Sequence, residues 1–220
     1  MKKDFVCQHY KFSLNSKLHV LTLSIIAIFT TVFTSSCKKE VDQNFTAIAD
    51  STSGKISALA VKNTYYVSPT GNDANPGTIS APFATWEKLS GILTAGDLAY
   101  IRGGTYRVNK AANADVRVRL SNLNGTSADS IRIYAYPGES PVLNLDNILV
   151  TEWSNYGVYL QNSSYVHIKG LRITGLAQHS SGNVVWGFTL ANSNNCTVEQ
   201  VEVDNIGGQG FYSLNSNDIL

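Results

Sequence analysis

The chain has 220 residues, with 17 basic and 16 acidic side chains and 43% hydrophobic composition. A net charge of +1 with no basic patch excludes binding to nucleic acid through its phosphates. Three cysteines, with no Cys/His grouping at zinc spacing, exclude a structural zinc module.

The chain opens with Lys2 and Lys3, followed by Lys11 and Lys17, and then an apolar run from Val20 to Phe33. That run is shorter than the ~20 residues needed to span a bilayer and has the form of a secretory signal. It ends Thr34-Ser35-Ser36-Cys37, which resembles the lipobox of bacterial lipoproteins, although Thr34 stands where leucine is usual. The resemblance implies lipidation of Cys37 and a signal peptide over residues 1–36. The expected location is the outer membrane or cell surface, with plain secretion as the alternative. Removing 1–36 leaves 13 basic and 15 acidic residues. Cys7 departs with the leader. The polar, small-residue stretch that includes Ala49 to Gly54 makes 37–62 a flexible tether, and the expected domain covers 63–220.

A short strand at Tyr65-Tyr66-Val67 enters a loop rich in Gly, Asn, Asp and Pro, which supply turn geometry. Thr85 is placed to cap an amphipathic helix whose apolar face is Trp86, Leu89, Ile92 and Leu93. Such a helix suits the open end of a solenoid. Gly96-Asp97 turns out of it into the strand Leu98–Arg102, which runs into Gly103-Gly104-Thr105-Tyr106.

Two segments then align at an offset of 30, one from Gly157 to Ile173 and one from Gly187 to Val203; a third copy starts at Gly210. Within each copy, apolar and polar residues alternate with period 2, which marks half-buried strands. Val166 and Ile168 alternate with His167 and Lys169, and Leu171 and Ile173 with Arg172 and Thr174; Cys196, Val198, Val201 and Val203 repeat the apolar set. The parity shift at Gly170 and Gln200 predicts a bend and a new strand. A repeat of this length built from short strands predicts a β-solenoid, an all-β parallel β-helix. Stacking predicts Lys169 over Glu199, Arg172 over Glu202, and a turn ladder of Asn162, Asn192 and Asn215. Cys196, equivalent to Val166, is expected as a small buried hydrophobe.

The run "YYVSPTGNDANPGT…APFATW…GDLAYIRGGTY", with the coils "SSYVHIKGLRITG" and "NNCTVEQVEVDN", resembles the N-terminal region of right-handed parallel β-helix proteins of polysaccharide lyase family nine, the pectate-lyase-like group. The likeness spans roughly 64–220. It implies a monomeric protein acting on acidic polysaccharide, with calcium as cofactor and a Lys or Arg as base. A non-catalytic glycan-binding or adhesive β-helix, and a β-helix glycoside hydrolase using paired carboxylates, stand as alternatives.

The residues do not supply the lyase's carboxylate cluster. Asp204 and Asp218 are single, and the repeat breaks off at Leu220, so a fragment that is inactive by itself is expected. If these coils did carry chemistry, Lys169, Arg172, Asp204 and Asp218 are the candidates. Asp73 reads as a turn residue. His167 and His179 lack a carboxylate at motif spacing, and Arg102 and Arg107 read as solvated strand-edge cations. Tyr65, Tyr66 and Trp153 read as core or cap packing rather than sugar platforms.

Overall fold

Period-2 alternation and closely spaced bends fold the described residues into short strands that stack in parallel, each on its equivalent one coil away. The structure is a computed structural model, and it describes residues 61–108, 115–148, 150, 152–179 and 182–217. The leader, Cys37 and most of the tether lie outside the described residues, as does Asp218.

The first sheet stacks β1 (Thr64–Val67), β2 (Leu98–Ile101), β5 (Ile131–Ala135), β8 (Val166–Lys169) and β11 (Thr197–Glu199) in that order. The second stacks β3 (Gly104–Arg107), β6 (Pro141–Asn144), β9 (Arg172–Thr174) and β12 (Glu202–Asp204). The third stacks β4 (Val116–Ser121), β7 (Ser154–Gln161), β10 (Val184–Ala191) and β13 (Gln209–Leu214). All ladders are parallel. From β2 onward each coil therefore contributes one strand to each of three faces, at the ordinary ~4.8 Å spacing, while β1 adds a strand to the first sheet alone.

The predicted register holds. Lys169 pairs with Glu199 and Arg172 with Glu202 as backbone partners. Asn192 Nδ2 donates to Asn162 Oδ1 at 3.5 Å, and Asn215 Nδ2 to Asn192 Oδ1 at 3.3 Å. All three Asn have φ near +50°, the left-handed region that Asn tolerates best after Gly. Gly170 (φ 75°) and Gln200 (φ 52°) form the predicted bends.

Inward residues fill the tube in columns. Val166, Ile168, Ile173, Leu160 and Phe188 are all at most 1% exposed, and Cys196 is fully buried where its equivalence to Val166 put it. Burial raises the Cys196 thiol pKa and keeps it protonated. Gly187 sits where the third sheet meets the second. A Cβ there would overlap Val203 Cγ1 and approach the Gly210 carbonyl oxygen to 2.8 Å, so the close approach of two coils requires glycine.

A second ladder is built from serine. Leu123 N–H donates to Ser163 Oγ (3.2 Å), Ser163 N–H to Ser193 Oγ (3.1 Å), and Ser193 N–H to Ser216 Oγ (3.0 Å). Each hydroxyl also donates to a carbonyl two residues back in its own chain, closing the corner. These serines follow directly on the Asn of the turn ladder, so the two columns run side by side.

The expected amphipathic helix is a correction. The segment is a six-residue 3₁₀ helix, Trp86–Gly91. Thr85 makes no capping bond; its side chain is turned to Asp73, with the hydroxyl donating to Oδ2 at 2.7 Å. Ile92 then leaves helical geometry (φ −122°, ψ −45°). Trp86, Leu89 and Leu93 are still buried. The segment lies along the outer edge of β4. Glu87 Oε1 accepts from Arg119 N–H (3.2 Å), Ser90 Oγ accepts from Ser121 N–H (3.0 Å), and the same hydroxyl donates to Arg119 C=O (3.3 Å). Side chains thus satisfy strand-edge groups that another strand would otherwise pair.

The serine ladder gives a direct test. Ser193→Ala leaves the buried Ser163 N–H without its acceptor, a loss of about 1–3 kcal/mol. Urea unfolding should show a lower midpoint with unchanged slope. A midpoint equal to wild type would show that the ladder does not hold the corner.

Candidate functional site: polar ladders on the outer faces

The outward positions of β5, β8 and β11 place four polar side chains in one connected row. Tyr134 Oη lies 2.8 Å from His167 Nδ1, His167 Nε2 lies 3.0 Å from Glu199 Oε2, and Lys169 Nζ donates to Glu199 Oε1 at 2.7 Å. Glu199 can only accept, so His167 Nε2 donates to it, while Nδ1 lies within hydrogen-bond reach of Tyr134 Oη. His167 has no carboxylate at motif spacing, yet Glu199 reaches it from the next coil, a proximity no local motif spacing shows. The Lys169 hydrogen bond is the main reason the Glu199 carboxyl sits below the usual range. Burial raises the Tyr134 phenol.

Around the Gly170 bend, the second sheet carries another row. Arg172 Nε donates to Asp204 Oδ2 at 2.7 Å and lies 3.6 Å from Glu202 Oε1. The stacked pair foreseen with Glu202 is therefore the looser contact. Asp204, two residues along the same face, holds the guanidinium more closely. Asp204 also accepts from Thr174 Oγ1 (2.5 Å) and Asn205 Nδ2 (2.9 Å). The Arg172 hydrogen bond, followed by that of Thr174, lowers the Asp204 pKa, and Asp204 in turn raises that of Arg172.

The sequence candidates thus divide between two faces. Lys169 belongs to the first sheet; Arg172 and Asp204 belong to the second. Each cation is held by a carboxylate, and for Arg172 that contact stabilises the protonated form, the opposite of what a general base needs.

A calcium ion takes six to eight oxygens at ~2.3–2.6 Å. Among the described residues no three His, Cys, Asp or Glu side chains group to hold a metal. The individual carboxylates are engaged: Asp204 as above, Asp146 with Arg107 Nη1 (2.7 Å), and Glu139 with Arg102. The described residues therefore do not fit calcium.

The other candidates settle as follows. Asp73 is a turn staple: its Oδ1 accepts from the N–H of Ala84 (2.8 Å) and Thr85 (3.0 Å). Burial opposes its ionisation, but the bonds from Thr85 and Ala84 outweigh that and lower its pKa. Arg102 and Arg107 are not simply solvated, since each is paired with a carboxylate of the next coil. Tyr65 stacks on Phe83 at 6.1 Å, and Tyr66 packs against Tyr100 and Tyr136, both as packing residues. Trp153 is the exception, at 71% exposed. His179 is exposed. Sequence reading missed an aromatic column on the third sheet. Tyr156 stacks on Trp186 at 4.8 Å and 12°, and Trp186 on Tyr212 at 5.3 Å and 28°. The 30-residue offset from Tyr156 to Trp186 was its only signal. The rings cover one another's faces, so the column ties coils together.

The depressed carboxylates set a pH dependence. Glu199 and Asp204 titrate lower in the folded chain than in the unfolded one. Their contribution is present above the ordinary carboxylate range, about 4, and is lost as pH falls through the lower folded values. The urea midpoint should fall on acidification below about 4, and Asp204→Asn should make that fall shallower. A slope identical to wild type would show that the Arg172–Asp204 pair does not contribute.

Comparison with known proteins follows the fold. The sequence matches the family model described as "Pel9A-like, right handed beta helix region" over residues 65–219. A pectate lyase, PEL9, of Emericella nidulans is 35% identical over 79 residues, covering 36% of this chain and 18% of that protein. The uncharacterized protein YwoF of Bacillus subtilis is 29% identical over 128 residues, covering 58% of this chain and 25% of that one. The chain thus spans a quarter or less of the curated relatives it matches. Among solved structures, a GH136 lacto-N-biosidase from Eubacterium ramulus superposes with TM-score 0.56 at 16% identity, covering 71% of this chain and 31% of that one, a likeness of fold alone. The three-faced parallel stack and the match over residues 65–219 agree: the chain belongs to the Pel9A-like right-handed β-helix family.

Proposed function

We propose that this chain forms the glycan-engaging coils of a polysaccharide-active lipoprotein, directed at acidic polysaccharide of the pectate type. Family membership over 65–219 carries this reading, supported by the similarity to a relative named pectate lyase. Lyase chemistry needs a cation to neutralise the uronate carboxylate and a base to take the adjacent proton. The described residues supply neither, so we assign binding to them and any cleavage, with its calcium, to other residues.

A glycoside hydrolase reading finds one geometric point in its favour, since Glu202 and Asp204 lie two residues apart on one strand face and both meet Arg172. The chemistry opposes it. A glycosidase general acid has a raised pKa, and Asp204 is displaced downward. A non-catalytic glycan-binding protein shares the binding role and differs in having no cleavage at all.

Affinity electrophoresis through polygalacturonate should retard the chain, and unretarded migration would overturn the acidic-glycan reading. Incubation with polygalacturonate and calcium should yield no unsaturated, ultraviolet-absorbing product. A calcium-dependent rise from pure protein would overturn the assignment of binding without cleavage and direct attention to Lys169, Arg172, Asp204 and Asp218.

Anchoring rests on the Ser35-Ser36-Cys37 ending of a short apolar run. Several acyl chains on one residue would hold the protein stably to a membrane, at the outer membrane or cell surface. Metabolic labelling with a fatty acid should mark the wild-type protein and not Cys37→Ala, which should appear in the medium. Equal release of both would refute the anchor.

A further inference from the structure

A groove of about 550 Å³ lies where the loop after β1 faces the bend between β2 and β3. Its polar lining includes Ser68, Thr70, Asn75, Ser80, Arg102 and Glu139. We propose that this groove is a binding site for a neutral sugar residue, such as a neutral branch of the polysaccharide. The proposal rests on the polysaccharide reading above and adds a site distinct from the outer-face ladders.

The charge of the groove selects the ligand class. Its cation, Arg102, is matched within the groove by Glu139. Arg102 Nε donates to both carboxylate oxygens (3.1 and 2.9 Å), and Nη2 donates to Oε1 at 2.8 Å. The backbone N–H of Gly103 donates to Oε2 as well. Glu139 is saturated, and no uncompensated positive charge remains to draw in a uronate. Arg102 Nη1 has no partner among the described residues, so the guanidinium still offers N–H donors while the Arg102–Glu139 pair as a whole carries no net charge.

The donor is also rigid. The guanidinium lies over the Tyr136 ring, 4.6 Å from its centroid, and Tyr136 packs edge-on against Tyr100 at 5.3 Å. The opposite wall is pinned by Asp73 to Ala84 and Thr85, and by Asn75 Nδ2 donating to Pro82 C=O at 2.8 Å. A wall fixed before binding loses little entropy when a ligand arrives.

The lining chemistry matches sugar hydroxyls, each of which both donates and accepts. Ser68 and Thr70 hydroxyls lie 3.1 Å apart and share one hydrogen bond, and Ser68 Oγ also accepts from Thr70 N–H at 3.3 Å, which leaves one hydroxyl hydrogen and two lone pairs for a ligand. The Asn75 amide oxygen accepts, and Arg102 Nη1 donates. The volume falls within the ~300–1,000 Å³ of small-molecule sites.

Affinity electrophoresis of the full chain through a neutral β-galactan, in parallel with polygalacturonate, tests the site. Galactan should retard the wild-type chain. Arg102→Ala should weaken that retardation about tenfold or more, because a charged donor is lost. Ser80→Trp, at an exposed loop position away from the ion pair, should do the same by filling the groove, and it stands as the test if Arg102→Ala fails to fold. Both variants should keep the wild-type response to polygalacturonate. A wild-type chain unretarded by galactan, or a folded Ser80→Trp chain that binds galactan as wild type does, overturns the groove. Loss of polygalacturonate binding with galactan binding intact overturns the acidic-glycan reading and leaves the groove standing.

Discussion

Backbone hydrogen bonds running along the tube axis, from each coil to the next, are the constraint on which everything else depends. They are parallel in all three sheets, so equivalent residues are forced above one another. A side chain's nearest neighbour is then its own counterpart in the next coil, more than 20 residues away in sequence. Identical or complementary residues in a column reinforce the register, and a mismatch disturbs it at once. The Asn and Ser columns follow from this single condition, as do the Tyr156–Trp186 stack and the Lys169–Glu199 pair.

The same constraint accounts for the polar faces. Outward residues of adjacent strands approach closely, so unpaired like charges would be costly and opposite charges are favoured. Lys169 with Glu199 and Arg172 with Asp204 meet that need. A charge engaged in this way contributes to register and has less freedom to act on a substrate. The groove beside Arg102 differs because the chain there is a bend and a loop, outside any column, where a paired arginine can still present part of its donor set.

The coils from Gly157 onward were legible because their repeat is regular. Earlier coils were legible only in part: the strands at Tyr65–Val67 and Leu98–Arg102 were foreseen, and β4, β5 and β6 were not. Leu123 meets Ser163 across 40 residues, Ser163 meets Ser193 across 30, and Ser193 meets Ser216 across 23. Loops of unequal length between strands hide the first of these intervals from a fixed-offset comparison. Asn122, with φ 57°, is an earlier turn residue of the same kind that went unread for this reason. The 3₁₀ segment departs from its helical periodicity and has no side-chain cap; the Thr85 hydroxyl is bonded to Asp73, twelve residues upstream, a tertiary contact that periodicity does not show. The Tyr134–His167–Glu199 row joins three successive coils, and chain order gives no hint of it. Arg102 and Glu139 are 37 residues apart and meet only once the loop between them is closed.

The unequal intervals of the serine column bear on how such a chain can change. Coils of 40, 30 and 23 residues stack with the same corner, so extra length is absorbed between strands and never enters the columns. Each doubling of a flexible loop costs only about 0.6 kcal/mol in closure entropy. A substitution within a column, by contrast, meets two neighbours in fixed register. Descent in this architecture should therefore proceed by insertion in the loops outside the columns, where a new loop can acquire a new ligand while the tube beneath it stays the same.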